Sequence, residues 1–385
     1  MEDVAIPDVP DAEVVAALMR RYLLSTLEWP SPLRSRPSAQ ALRDLYRGCL
    51  LWGAVGDALG RAVEGQSPAA IRDRYAPGGV QDYVPWRGWK GGPRGTITDD
   101  TQLTMEVART LLAVPGRFDC GDFARRLVDW LPIGRGKGQA TTAAVEALAR
   151  GEPWWRAGLP MASGGNGAAM RAAPVGLARA VDPTPWSMRR DAVLSAFATH
   201  TSSIGVAGAV AMAAGVAYCI RIAQDRPARV DKTEFLQFVS GAILETEPTM
   251  ERRPGGEAIW MGDRIRELGD LLNHRSPEEV FAYVYNGAFA LESVPAALYC
   301  FLRSPNDPRQ VILTAVNAGY DADTVASMAG NLAGAWCGAE RLQREAPEWW
   351  TELEYREELI GLADGLADLA VKDNPEEVDD RWQGT

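Results

Sequence analysis

Four glycines, Gly48, Gly53, Gly56 and Gly60, fall in a stretch where Leu42, Leu45, Tyr46, Cys49, Leu50 and Gly53 follow a helical spacing. Glycine presents almost no side surface, so a neighbouring helix can approach this one very closely. A second small-residue stretch, residues 205–220, runs for 16 apolar positions rich in Gly and Ala. That is short for a membrane span, which needs about 20 residues, and ordinary for a buried helix with close neighbours. No membrane segment is expected. Helical periodicity recurs near residues 100–114, 121–131, 141–150, 188–198, 233–245, 256–272, 277–288, 295–302, 308–317, 324–341 and 351–370. Alternating strand patterns are almost absent, apart from short pieces at 80–83 and 96–98. The expected class is all-α.

At 385 residues the chain can bury a large core and reads as one large domain or at most two. Residues 1–40 stand apart as a helical extension with a Pro-rich connector. Asp11 is placed to cap a helix with Val14, Val15, Leu18 and Tyr22 on one face, and Pro30, Pro32 and Pro37 follow. The body spans 41–371, and 372–385 form an acidic tail. With 40 Lys plus Arg against 51 Asp plus Glu, the chain repels a phosphate backbone, so nucleic acid is not an expected partner. Five dispersed cysteines without a C-x-x-C pair read as core thiols of a reducing compartment, and MEDVAIPDVPD has no signal-peptide character. A cytoplasmic monomer is the expectation.

Two acidic clusters far apart have the same make-up. In GGPRGTITDDTQLTM a Gly/Pro loop ends at Thr98, Asp99 and Asp100 where a helix begins, and in NAGYDADTVASMAGNLAGAW the same order gives Asp321, Asp323 and Thr324. A single such cluster reads as a helix N-cap with acids favoured by the dipole. Asp at i and i+2 cannot share a helix face, so Asp321 and Asp323 converge only in a loop or first turn. Together the two clusters suit a site for two hard cations, because oxygen-only donors select Mg²⁺, Mn²⁺ or Ca²⁺ over zinc. The segment Ser163-Gly164-Gly165-Asn166-Gly167 can turn its backbone N–H groups inward on a phosphate, although it matches neither the Walker nor the dinucleotide fingerprint. Asp57 among small residues reads as a buried structural acid. Glu64, just where its helix breaks, is either a solvated surface acid or a general base over a cleft. His200 and His274 are the only histidines, and His200, opening an apolar helix, reads as a core or capping residue. With no partner histidine and no G-x-S-x-G, a Ser–His–Asp hydrolase is not expected.

In this order, GCLLWGAVGDALGRAVEG, TITDDTQLTM, SGGNGAAMRAAPVGL, THTSS, ESVPAALYCFL and NAGYDADTVASMAGNLAGAWCG resemble the ADP-ribosylglycohydrolase family, from about Leu42 to about Arg341. The resemblance implies a compact multi-helical fold with two Mg²⁺ or Mn²⁺ ions in a cleft. It places metal ligands at Thr98, Asp99, Asp100, Asp321, Asp323 and Thr324, and a mobile glutamate at Glu64. Ser163, Gly165, Asn166, Gly167 and Met170 fall on the loop around the diphosphate and ribose. The implied activity is hydrolysis of ADP-ribosyl-arginine on proteins, with Glu64, Asp100 and Asp323 in the catalytic roles. Many members resembling this chain have Gly-Gly-Asp-Thr-Asp-Thr where it has Gly319-Tyr320-Asp321-Ala322-Asp323-Thr324, so a ring stands beside the expected metals. Three alternatives share the resemblance: another ADP-ribose linkage (serine, O-acetyl or nucleobase), an immunity protein that occludes an ADP-ribosyltransferase through residues 1–40, and a non-catalytic structural member.

Overall fold

The computed structural model describes residues 11–22, 27–31, 33, 37–85, 92–158, 164–224, 229–243, 251–252 and 258–372. The glycine-rich helix, Ala39–Gly60, lies in backbone contact with Ala322–Cys337. A Cβ at Gly60 would sit 2.4 Å from Asp323 Cα, one at Gly56 2.1 Å from the Ala326 carbonyl oxygen, and one at Gly48 2.5 Å from that of Gly334. As the numbers fall along one helix they rise along the other, so the pair is antiparallel. The C-terminus of Ala39–Gly60 therefore meets the N-terminus of Ala322–Cys337, which brings Glu64 and Asp321 to the same end of the molecule.

Around this pair pack Asp99–Ala113, Cys120–Trp130, Gln139–Ala149, Trp186–Phe197, Ser203–Ala223, Lys232–Ile243, Met261–His274, Pro277–Val284, Ala290–Arg303, Pro308–Asn317 and Arg356–Lys372. Five short helices, Pro68–Arg74, Trp154–Ala157, Ala173–Arg179, Glu340–Glu345 and Pro347–Glu352, escape a periodicity search. Seven residues or fewer do not repeat a 3.6-residue period. The all-α class holds. Ser203–Ala223 is long and apolar enough to cross a membrane, yet its apolar window is wholly buried inside the fold.

Several details differ from expectation, among them the helix expected over 256–272, which begins only at Met261, and that expected over 351–370, which begins only at Arg356. Residues 80–83 and 96–98 form no strand. Asn317 satisfies the Val80 backbone instead, accepting from its N–H at 2.7 Å and donating to its carbonyl at 3.0 Å. The described strands are Glu251–Arg252 and Ala258–Ile259, a two-residue antiparallel ladder. The helix expected over 277–288 stops at Val284, because Tyr285 takes a positive φ. The helix expected from Pro295 starts at Ala290 and carries that proline in its interior.

The Asp11–Tyr22 helix is fastened to the body: Val14 and Leu18 are buried, and Tyr22 packs edge-on against Phe197 with centroids 6.3 Å apart. Trp29 continues the contact, stacking on Phe238 at 5.4 Å and donating to the Asp182 carbonyl. Pro32 and the tail beyond Lys372 lie outside the described residues. All five cysteines are free thiols, four of them buried.

Candidate active site

Asp57 anchors the first acidic cluster. It is 0 % exposed, and its carboxylate accepts four hydrogen bonds: from Thr98 N (2.9 Å), Thr98 Oγ1 (2.7 Å), Thr101 N (3.1 Å) and Thr101 Oγ1 (2.6 Å). Burial raises its pKa and those bonds oppose the rise. They satisfy a buried charge that would otherwise be costly. The residue thus ties the start of the Asp99–Ala113 helix to the glycine-rich helix. On the other side, the Arg135 carbonyl accepts from Asp99 N at 2.8 Å, and Gly136, at φ 72°, lies so close that a Cβ would be 3.0 Å from Asp99 Oδ1. Arg135 is itself held by Glu354 at 2.6 Å.

The second cluster arrives on Ala322–Cys337. Thr324 Oγ1 stands 3.4 Å from Asp100 Oδ2, and Thr98 Oγ1, whose proton goes to Asp57, lies 3.1 Å from the same oxygen. The carboxylates of Glu64, Asp321 and Asp323 lie within 4.8 Å of one another. Glu64 is brought there by a backbone exchange: Tyr320 N donates to Gln66 O at 2.8 Å and Gly65 N to Tyr320 O at 2.7 Å. Thr98, Asp99, Asp100, Asp323 and Thr324 are buried, Asp321 is half-buried and Glu64 is exposed at the rim. All of these residues therefore meet at one place.

The glycine-rich loop borders it. Asn166 Nδ2 donates to Asp321 Oδ2 at 2.5 Å and to Ser293 Oγ at 3.1 Å. A strap, residues 285–289, joins loop and cluster: Asn166 N donates to Ala288 O, Ala290 N to Gly164 O, and Asp321 N to Asn286 O. Gly167 packs on the His200 ring, which a Cβ would meet at 2.8 Å, and Gly165 is 3.7 Å from His200 Nε2 by the same measure. Met170 is buried beneath, its carbonyl 3.4 Å from Thr104 Oγ1. Ser163 lies outside the described residues.

A family model described as ADP-ribosylglycohydrolase matches residues 38–376. The chain belongs to the ADP-ribosylglycohydrolase family. It is 31 % identical to the ADP-ribosylhydrolase ARH3 of Bos taurus, covering 85 % of this chain and 94 % of that protein. It is 29 % identical to the ADP-ribosylarginine hydrolase Tri1 of Pseudomonas putida, over 86 % and 80 % respectively. A solved structure, an ADP-ribosylglycohydrolase-related protein complex, aligns over 86 % of this chain and 99 % of that one, with a TM-score of 0.63 and 29 % identity. The protein is a glycosidic-bond hydrolase.

In this ADP-ribosylglycohydrolase the acids are poorly compensated. Among the described residues no ion pair engages Glu64, Asp99, Asp100, Asp321 or Asp323, and Asp100 Oδ1 is buried without a hydrogen-bond partner. Burial first, then neighbouring carboxylates, push Asp99, Asp100 and Asp323 well above the usual carboxylate range. Burial also raises Asp321. Desolvation of its inward side, followed by the Asp321 charge, raises Glu64. Crowded oxygen donors with an orphaned buried lone pair are the environment a hard divalent cation satisfies.

The sign of the pH effect follows. Carboxylates whose folded pKa is raised take up protons on folding, so the metal-free protein loses stability above the raised values and recovers it as pH falls through them. His200 acts oppositely: burial holds it neutral down to about 3, which costs stability only below its unfolded value near 6.5. Between pH 8.5 and 6.5 the raised acids and the thiols of Cys49, Cys219, Cys300 and Cys337, which burial also raises, act in the same sense. Melting of the EDTA-treated protein should therefore rise as pH is lowered across that window. Added Mg²⁺ should raise Tm more at pH 8.5 than at 6.5, because protons compete for the same oxygens. A Tm that Mg²⁺ leaves unchanged at both pH values would contradict this.

Several site residues gave no signal in the sequence. Gly136 lay between the expected helices 121–131 and 141–150, and residues 285–288 in what read as the end of a helix. His200 read as a core or capping residue. It is indeed buried, with Nδ1 2.7 Å from Thr199 Oγ1. Arg171 Nη2 donates to the same hydroxyl at 2.7 Å, so the Thr199 proton goes to Nδ1 and the ring carries its hydrogen on Nε2, the atom nearer Gly165.

Proposed function

We propose that this ADP-ribosylglycohydrolase cleaves the N-glycosidic bond between ribose C1″ and the guanidino nitrogen of ADP-ribosylated arginine on proteins, as a monomer in the cytoplasm using two Mg²⁺ or Mn²⁺ ions. The observation that carries the reading is the meeting of Asp100 with Thr324, 224 positions apart, at 3.4 Å. It gathers Thr98, Asp99, Asp100, Asp321, Asp323 and Thr324 as one donor set. Ions held by it would supply positive charge that fixes the ribose hydroxyls and acidifies a water. Similarity to an ADP-ribosylarginine hydrolase and the excess of uncompensated carboxylates favour a cationic acceptor over a neutral one.

The protein's own groups do the rest. Asn166 holds the Asp321 carboxylate in one orientation. The loop from Gly165 to Gly167 seats the diphosphate and gives affinity rather than chemistry. Water adds its oxygen to C1″ as the C1″–N bond breaks, and a proton passes to the departing guanidine. Glu64, on the rim and raised in pKa, accepts the water proton, with Asp100 and Asp323 positioned to assist.

The deciding experiment incubates the purified protein with arginine-ADP-ribosylated target, with and without Mg²⁺, beside serine-linked and O-acetyl-linked substrates, and scores free ADP-ribose. Release only from the non-arginine substrates would end the arginine reading. Glu64→Gln should lower kcat by about 10²–10⁴-fold. It should also flatten the acid limb of the pH–rate profile, where wild-type activity declines as pH falls through the raised Glu64 pKa. An unchanged acid limb in the variant would assign that proton to another group.

A further inference from the structure

Three non-glycine residues among those described have positive φ, and two of them, Tyr285 and Tyr320, pack ring against ring with centroids 4.8 Å apart and planes tilted by 34°. Tyr285, at φ 66° and ψ 166°, occupies a region that is nearly glycine's alone, and Tyr320, at φ 54°, is left-handed; such strain persists only where surrounding structure enforces it. Burial does not recover the cost, since Tyr285 is 43 % exposed and Tyr320 half-buried. The backbone pins both rings. Tyr320 is clamped between Gly65 N and Gln66 O and is followed by Asp321; Tyr285 is followed by Asn286, whose carbonyl accepts from Asp321 N at 2.9 Å. An aromatic face is thus held open one residue from the acid cluster. Beyond it lies a groove of about 670 Å³ between the Pro68–Arg74, Pro277–Val284 and Pro308–Asn317 helices, lined by Pro68, Glu278, Phe281 and Leu313 together with the two tyrosines.

The geometry points to the Tyr285–Tyr320 pair as the seat of the arginine guanidinium on the acceptor side of the scissile bond, with the groove beyond it receiving the target's flanking polypeptide. This deepens the proposed function and rests on its arginine linkage. A planar cation is attracted to an aromatic face, and more so where neighbouring charges are negative, as Glu64, Asp321 and Glu278 are here. A neutral hydroxyl leaving group gains nothing comparable, so the pair sets specificity rather than rate for every substrate. The groove volume falls in the range of clefts that enclose a ligand of small-molecule size.

The test compares kcat/KM on an arginine-ADP-ribosylated peptide with that on the same peptide modified through serine, in wild type, Tyr320→Gly, Tyr285→Ala and Tyr320→Phe. Inhibition by free ADP-ribose in each variant confirms that the fold and the opposite side of the site survive. The arginine-to-serine ratio should drop about tenfold in Tyr320→Gly and in Tyr285→Ala, and Tyr320→Phe, which keeps the aromatic face, should restore most of it. An unchanged ratio in the two ring-deleting variants, with wild type active on arginine, would overturn the inference and leave the proposed function standing. A wild type inert toward the arginine substrate would remove both.

Discussion

Asp100→Ala protein will release ADP-ribose on the order of a thousandfold more slowly than wild type and lose its Mg²⁺-dependent rise in Tm; Asp323→Ala will behave alike. Both carboxylates are buried in the centre of the donor set, and a thousandfold is about 4 kcal/mol of transition-state stabilisation. The accompanying change in stability separates this from simple unfolding. Asp100 Oδ1 has no partner, and its carboxylate sits beside those of Asp57 and Asp99. Asp100→Asn removes the repelled charge and keeps the shape, so in EDTA this variant should melt above wild type at pH 8 and below wild type once Mg²⁺ is added. Calorimetry in the two buffers checks both halves. Either variant keeping full turnover without bound metal would break the mechanism.

Gly60→Ala will cost about 3 kcal/mol of stability and most of the activity. Its new methyl group would lie 2.4 Å from the backbone N and Cα of Asp323. No rotamer change relieves a clash with backbone, so the Ala39–Gly60 and Ala322–Cys337 helices must separate, and Asp323 moves with them. Gly361→Ala is the control. It lies inside Arg356–Lys372 with nothing within 4 Å of the added atom, and should be neutral or stabilising by up to about 1 kcal/mol. Urea midpoints at constant m-value measure both. Equal effects from the two substitutions would mean that close approach at Gly60 is not what limits the site.

These two cases show what was legible. The glycines of Ala39–Gly60 announced a close neighbour through their own lack of side chain, and the oxygen chemistry of Thr98, Asp99, Asp100, Asp321, Asp323 and Thr324 was visible because donor type belongs to the residue. Helices shorter than two turns were not, nor was the early start of Ala290–Arg303, since an interior proline looks locally like a first turn. Asp57 could be read as a buried structural acid, but not as the acceptor of four bonds from Thr98 and Thr101, because both partners come from a different helix more than 40 positions away.

By itself, then, the chain determined its helical class through periodicity, its tightly apposed helix pair through glycine, and the hardness of any cation it would take through carboxylates and hydroxyls; these are local properties of side chains. Tertiary structure alone decided that Asp100 meets Thr324, that Glu64 is drawn to Asp321 by the Tyr320 backbone, and that two strained tyrosines stand open at the rim. Those relations depend on distances between segments remote in the chain, which only packing sets.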